Sequence, residues 1–339
     1  MADPLAGTRV SCDAVVSWRR ALDGVRRSMT GKQRGGVRHK RDEGPLIDAE
    51  PDREQVSTAL VLAGGGLSGI AWELGVLHGL VEAAPELASA ILGAGIIVGT
   101  SAGATVGAQL ASGAPLARLA EAQLAPPTAE LATSVNLYEL FARLADLASG
   151  AEDIEAAGRQ IGRMALKART ADAERRLEAI AARLPASAWP SCDLRLTAVD
   201  AESGALRIFT SSDGVLLRDA VAASSAVPGI WPAVEIGARR YIDGAVRSMT
   251  NADLAAGAAR VLVLQPLPEE TAPWGNLGVE LQALGPAKVV VIRADDASLA
   301  AIGDNPLDPA NRPAAVRAGR RLGAQWASEL GRCWSTRRP

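Results

Sequence analysis

Only two histidines, His39 and His78, occur in this chain of 339 residues, so a catalytic base of that type has few places to sit. Cysteine is almost as scarce: Cys12, Cys192 and Cys333 lie far apart and form no CxxC pair. Neither a zinc site nor a disulfide framework follows from such spacing, and a reducing compartment is expected. Charge of one sign is missing too, since 36 basic residues face 38 acidic ones for a formal charge of −2. That balance gives no long-range attraction to nucleic acid or to an anionic membrane. Aromatic residues make up only 3 % beside abundant alanine, glycine and arginine, a bias that reads as genomic. The first residues hold no apolar signal-peptide core, because Leu5 stands among Asp3, Pro4, Gly7 and Arg9. A cytoplasmic location is the resulting expectation.

One run does lack charge altogether, from Leu87 to Leu116. Gly93, Gly95, Gly99, Gly103, Gly107 and Gly113 interrupt it, which reads as a buried strand and a buried helix rather than a membrane span. Residues 1–55 differ from the rest. Short apolar patches alternate with the basic pairs Arg19-Arg20, Arg26-Arg27 and Lys40-Arg41, then the chain turns acidic from Asp42 to Glu54. The segment reads either as a polar, flexible extension or as a basic helix around Trp18 to Met29 that touches anionic lipid.

A folded domain is expected over 56–335. The run Thr58 to Ala63 is a buried parallel strand, followed by a helix on Ile70, Leu74, Leu77, Leu80 and Val81 that Pro85 ends. A second strand is expected over Ile91 to Val98 and a helix over Ala102 to Ala111. Alternating strand and helix imply an α/β fold with a mainly parallel sheet covered on both faces. From about 115 to 184 the pattern is amphipathic and helical, an inserted cap with no catalytic-looking cluster. Strands resume at Leu194–Val199 and Leu206–Thr210, then at 239–242, 260–265 and 288–292, and a last helix runs from Asn311 to Leu330.

Three glycine-bearing motifs punctuate the strand ends. Gly64-Gly65-Gly66-Leu67-Ser68-Gly69 follows the first strand; bare amides at a helix N-terminus make an anion hole for a phosphate or a tetrahedral oxyanion. The string also fits the dinucleotide fingerprint, but the second strand ends in Gly99-Thr100-Ser101 and not in the acidic residue that would hold a ribose. Gly99-Thr100-Ser101-Ala102-Gly103 is the Gly-x-Ser-x-Gly pattern of a sharp strand-to-helix turn that exposes a nucleophilic hydroxyl, or else a small-residue turn capped by serine. Asp243-Gly244-Ala245 places a carboxylate at a strand end; taken alone it is an ordinary turn. A serine nucleophile needs a base. His39 lies in the extension, and His78 sits inside a helix among Leu77, Gly79 and Leu80, as a structural histidine would. Attention therefore shifts to Asp243.

Together and in this order, the three motifs resemble the patatin-like phospholipase family, as does the stretch Ala220 to Pro232. The resemblance covers about Ala59 to Ala255. It implies a three-layer α/β/α fold with an inserted helical cap region and a serine acyl hydrolase acting through a Ser-Asp dyad. Ser101 would be the nucleophile and Asp243 its base, with the amides of Gly64, Gly65, Gly66 and Leu67 as oxyanion hole. Gly69, Gly99, Gly103, Gly244 and Ala245 complete the motifs. No metal or organic cofactor is required. The implied partner is a lipid ester (phospholipid, lysophospholipid or acylglycerol), with peripheral membrane contact as a further expectation; no nucleic acid partner is expected, and oligomeric state is not legible. Ser68 departs from the arginine or lysine common at this place in the family; Arg247 either replaces that cation or is an ordinary solvated arginine.

Overall fold

A computed structural model describes residues 57–334 except 127–129, 132, 134 and 269–275. The expectations for residues 1–55 and for His39 fall outside the described residues. Strand β1 (Thr58–Leu62) leads through the glycine loop into helix α1 (Gly66–Ala83). Helix α2 (Ala88–Leu92) precedes β2 (Ile96–Thr100), and α3 (Ala102–Ala111) leaves it. Helices α4 (Leu116–Ala122), α5 (Leu137–Ala148), α6 (Ile154–Ala165) and α7 (Ala173–Arg183) form the inserted region. Then follow β3 (Asp193–Asp200), β4 (Leu206–Phe209), α8 (Leu217–Ser224), β5 (Val234–Ile236), β6 (Arg239–Asp243) and β7 (Arg260–Gln265). Helix α9 (Leu277–Ala283), β8 (Lys288–Arg293), α10 (Asp296–Ile302) and α11 (Arg312–Trp334) complete the order.

The strands build one sheet in the order β5-β6-β3-β2-β1-β7-β8, with β4 also on β3. Strands β3, β2, β1, β7 and β8 pair in parallel, β4 and β6 pair antiparallel to β3, and β5 pairs antiparallel to β6. Burial of every β1 residue explains why its sequence does not alternate: both faces are covered. Ala59, Val61, Val98, Val261 and Val263 pack on one side with Ala252, Leu277 and Leu284. On the other side α3 crosses so closely that Gly107 faces the side chains of Ile97, Leu194 and Leu62. Helix α1 meets α11 almost backbone to backbone, because a Cβ on Gly79 would lie 2.0 Å from the Arg320 carbonyl and one on Gly323 2.0 Å from that of Val76. The insertion adds its own apolar cluster, where Leu144, Ala157 and Ile161 cover Val199, Ile242 and Val246.

The second strand is shorter than its apolar run suggests. Ile91 belongs to α2, and the strand starts at Ile96, after Gly93 and Gly95. Gly95 already hydrogen-bonds the β1 edge through its amide to the Thr58 carbonyl at 3.0 Å, so the glycines set where the strand joins the sheet. The uncharged run Leu87–Leu116 thus divides into α2, β2 and α3. Among the described residues no single helix is long and apolar enough to cross a membrane. The pair Gly66–Ala83 and Pro85–Leu92 passes on length and composition, but it bends by 115° and α1 is largely buried. Cys192 has a free thiol.

Candidate active site

Ser101 alone makes the turn from β2 to α3, and it does so with φ 54° and ψ −108°. A side-chain-bearing residue at positive φ costs roughly 1–3 kcal/mol, so its surroundings must hold it there. Its amide donates to Ser224 Oγ at 2.9 Å, and its carbonyl accepts from Ala104 at 3.1 Å. Two residues on, Gly103 donates to the Ala63 carbonyl at 3.0 Å. A Cβ there would sit 2.0 Å from the Leu62 carbonyl, so α3 can leave β2 only over a residue without a side chain. Gly99 lies within β2, in register with Leu62 and Leu196.

Sheet register brings the carboxylate to the serine. Thr100 pairs with Thr197, and Asp243 pairs with Ala198, so Ser101 and Asp243 stand at one level on either side of β3. Asp243 is 2 % exposed. Its Oδ1 accepts from the Ala245 amide at 2.9 Å, and its own amide donates to the Ala226 carbonyl at 3.0 Å. The Ser101 side chain lies near enough to its carboxylate to lower the pKa. Burial pushes the Asp243 pKa up to about 7; the Ala245 amide, the Ser101 hydroxyl and the charge of Arg176 pull it down in part. Gly244 opens a short 3-10 turn with its backbone against Thr197.

The glycine loop lies on the opposite side of the serine. Its four expected donors are not equivalent. Gly64 already donates to the Met249 carbonyl at 2.9 Å, which removes that amide from the set. The amides of Gly65, Gly66 and Leu67 make no hydrogen bond among the described residues, as the first turn of a helix dictates. Gly66 has φ +64° and a would-be Cβ 2.7 Å from the Pro306 carbonyl, so glycine is needed there twice over. Gly69 returns its amide to Gly65 at 2.8 Å inside α1. Gly66, Leu67 and Ser101 line one narrow cleft of about 20 Å³, room for roughly one water.

The contacts of Ser68 and Arg247 show what stands where the family's cation would be. Ser68 is sealed under the segment after α10, its hydroxyl donating to the Ile302 carbonyl at 3.3 Å and its amide to the Pro306 carbonyl at 2.9 Å. Arg247 is no substitute cation in the cleft: it pairs with Asp253 at 2.8 Å and donates to Asn251 Oδ1 at 2.7 Å. Asn251, which sequence reasoning missed, is fully buried with φ 48°. Its Nδ2 donates to Thr100 Oγ1 at 3.0 Å, to Thr197 Oγ1 at 3.3 Å and to the Ser248 carbonyl at 2.7 Å. Thr100 precedes the serine and Thr197 abuts Gly244, so this one amide ties the two motifs from behind. His78 stays on α1 beside Glu82, 3.7 Å away.

The insertion supplies a wall that its sequence did not announce. Arg176 and Arg183 on α7 line the Ser101 cleft with Trp231 and Leu307. Arg183 is ion-paired with Glu130. Their spacing of seven residues on one helix face was the available signal. Among the described residues no three His, Cys, Asp or Glu side chains gather as a metal-binding group.

Residues 60–256 match the model of a family described as patatin-like phospholipase. No curated protein matches the chain. Among solved structures, the type III effector protein ExoU shares 18 % identity at a TM-score of 0.35, over 82 % of this chain and 53 % of that one. This chain therefore spans about half the length of that protein, and nothing about the site is drawn from so distant a shape. The family match takes in the glycine loop, the serine turn and Asp243, and it covers more than half of the 339 residues. By that match the chain belongs to the patatin-like phospholipase family, a family of lipid hydrolases.

Proposed function

We propose that the protein hydrolyses a carboxylic ester of a lipid, with Ser101 as nucleophile and Asp243 as its base. The observation that carries this reading is the sheet register that sets Asp243 level with Ser101 on either side of β3, the serine being held at positive φ on a strand-to-helix turn. Attack of Ser101 Oγ on the ester carbonyl transfers the hydroxyl proton to Asp243. A carboxylate with a pKa near 7 accepts that proton far more readily than one near its ordinary value of 3.8. The carbonyl oxygen becomes an oxyanion, and the unengaged amides of Gly65, Gly66 and Leu67 at the start of α1 receive it. One such donor is worth about 2.7–4 kcal/mol of transition-state stabilisation. Asp243 then returns the proton to the departing alkoxide, leaving an acyl group on Ser101. Water, deprotonated by Asp243, releases the fatty acid and restores the serine.

A fluorophosphonate probe tests the nucleophile directly. The folded wild-type chain is expected to be labelled at Ser101, and the Ser101→Ala protein not at all. Equal labelling of the two, or none of either, would sink the assignment. Hydrolysis of a panel of phospholipids, lysophospholipids and acylglycerols then identifies the ester.

A further inference from the structure

Arg176 is the odd cation of this molecule. It is 7 % exposed, yet its guanidinium makes no hydrogen bond to any described residue and lies 4.0 Å from the centre of the Trp231 ring instead. Trp231 itself has a buried Nε1–H without an acceptor among the described residues. Arg183, two turns further along α7, is ion-paired with Glu130, and Arg312 at the start of α11 gives its donors to Gln123 Oε1 at 3.0 Å and the Ala122 carbonyl at 2.8 Å. Three buried guanidinium groups thus face one structural carboxylate. Burial and the charge of Arg183 press the Arg176 pKa down to about 9, with Glu130 and Asp243 too weak to restore it. Leaving a cation unpaired in a dry cleft is costly unless an anion arrives. Beside it lies a cavity of about 380 Å³ that shares Leu67, Ile70 and Arg183 with the Ser101 cleft and is otherwise walled mainly by alanine, leucine and proline. That volume is within the range of small-molecule sites.

Resting on the proposed esterase reading, we infer that Arg176 is a specificity-determining residue contributed by the inserted helices, which receives the phosphodiester of an anionic lipid whose acyl ester lies at Ser101. The alanine, leucine and proline wall of the cavity takes the chain and the guanidinium takes the head. Glu130 limits the affinity by holding Arg183 neutralised.

Two measurements on the full chain test this. The first is the ratio of kcat/KM for dihexanoyl phosphatidylglycerol to that for dihexanoylglycerol, both dissolved as monomers. A charged hydrogen bond is worth about tenfold to a hundredfold, so Arg176→Gln should lower the ratio by that factor and Arg176→Lys by less. Glu130→Gln should move it the other way, an outcome that mere damage to the fold would not give. An unchanged ratio in Arg176→Gln overturns the inference while leaving the esterase reading intact. The second is calorimetric titration of the Ser101→Ala protein with hexyl phosphate, hexanoate and hexanol. Binding of hexyl phosphate that Arg176→Gln abolishes supports the site even if no lipid is hydrolysed and the esterase reading falls. Preference for hexanoate assigns the guanidinium to the released fatty acid and overturns the phosphodiester; equal binding of hexanol overturns the anion site.

Discussion

The two walls of the cleft are built in opposite ways. One is made of strand ends, where Gly65, Gly66, Ser101 and Asp243 follow β1, β2 and β6 and are aligned by sheet register. The other is the face of α7, where Arg176 and Arg183 come from an insertion that packs on the sheet through Leu144, Ala157 and Ile161. Positions on the first wall are set by hydrogen-bonded neighbours within one rigid sheet. Positions on the second depend on how a separate helical layer docks. The difference suggests a division of labour, with bond making on the sheet and choice of substrate on the insertion.

Asp243→Asn should break the first wall with the largest effect, lowering kcat/KM by about 10²–10⁴-fold as loss of a general base does. Activity of the wild type in the free enzyme should rise with pH through about 7, because only the ionised carboxylate takes the serine proton. A bell or plateau set by another group would contradict that base. Next comes Asn251→Gly, which keeps the positive φ but removes the amide that joins Thr100 to Thr197. A loss of roughly tenfold in kcat with little change in KM, and about 1–3 kcal/mol of stability, is expected. Unchanged kcat would show that the two motifs hold their alignment without it.

Stability offers a subtler contrast. The Asp243 carboxyl ionises near 3.8 in the unfolded chain and near 7 when folded, so between these values the unfolded state binds fewer protons and stability falls as pH rises. Asp243→Asn should therefore melt higher than wild type at pH 8, by at most roughly 4 kcal/mol, and equally at pH 4. Glu73 on α1 is similar: it is 0 % exposed, neither oxygen has a hydrogen-bond partner among the described residues, and burial raises its pKa well above 4.5. Glu73→Leu should raise the melting temperature at pH 8 more than at pH 4; a lower value at both would mean that the carboxyl has a structural partner. Smallest of all, His78→Ala should leave ester hydrolysis within about threefold, since its one charged neighbour is the half-exposed Glu82.

Legibility followed the same division. The helix over Ala102 to Ala111 and strands at 58–62, 260–265 and 288–293 stand where apolar runs and glycine stops place them. The start of β2 does not, because Ile91 reads as strand by composition yet closes a short helix before Gly93. Gly64 looked like one more donor in a glycine string, but its partner Met249 lies 185 positions away, beyond any local pattern. Asn251 was hidden for the same reason: an asparagine in a loop is common, and only its contacts with Thr100 and Thr197 give it a role. In the insertion, arginines on an amphipathic helix such as Arg176 on α7 ordinarily belong to its solvated face. Burial against Trp231 reverses that reading.

By itself, the sequence determined the turns: glycines mark where backbones touch, the serine marks the bend, and the shortage of histidine turns the search for a base toward a carboxylate. Such features depend on local sterics, which a short string encodes. Only the tertiary structure decided that Ser101 and Asp243 share one level of the sheet, that Gly64 is already engaged, and that an arginine from the inserted helices stands unpaired in the cleft. Those outcomes depend on strand register and helix docking, set by hydrogen bonds and packing between segments far apart in the chain.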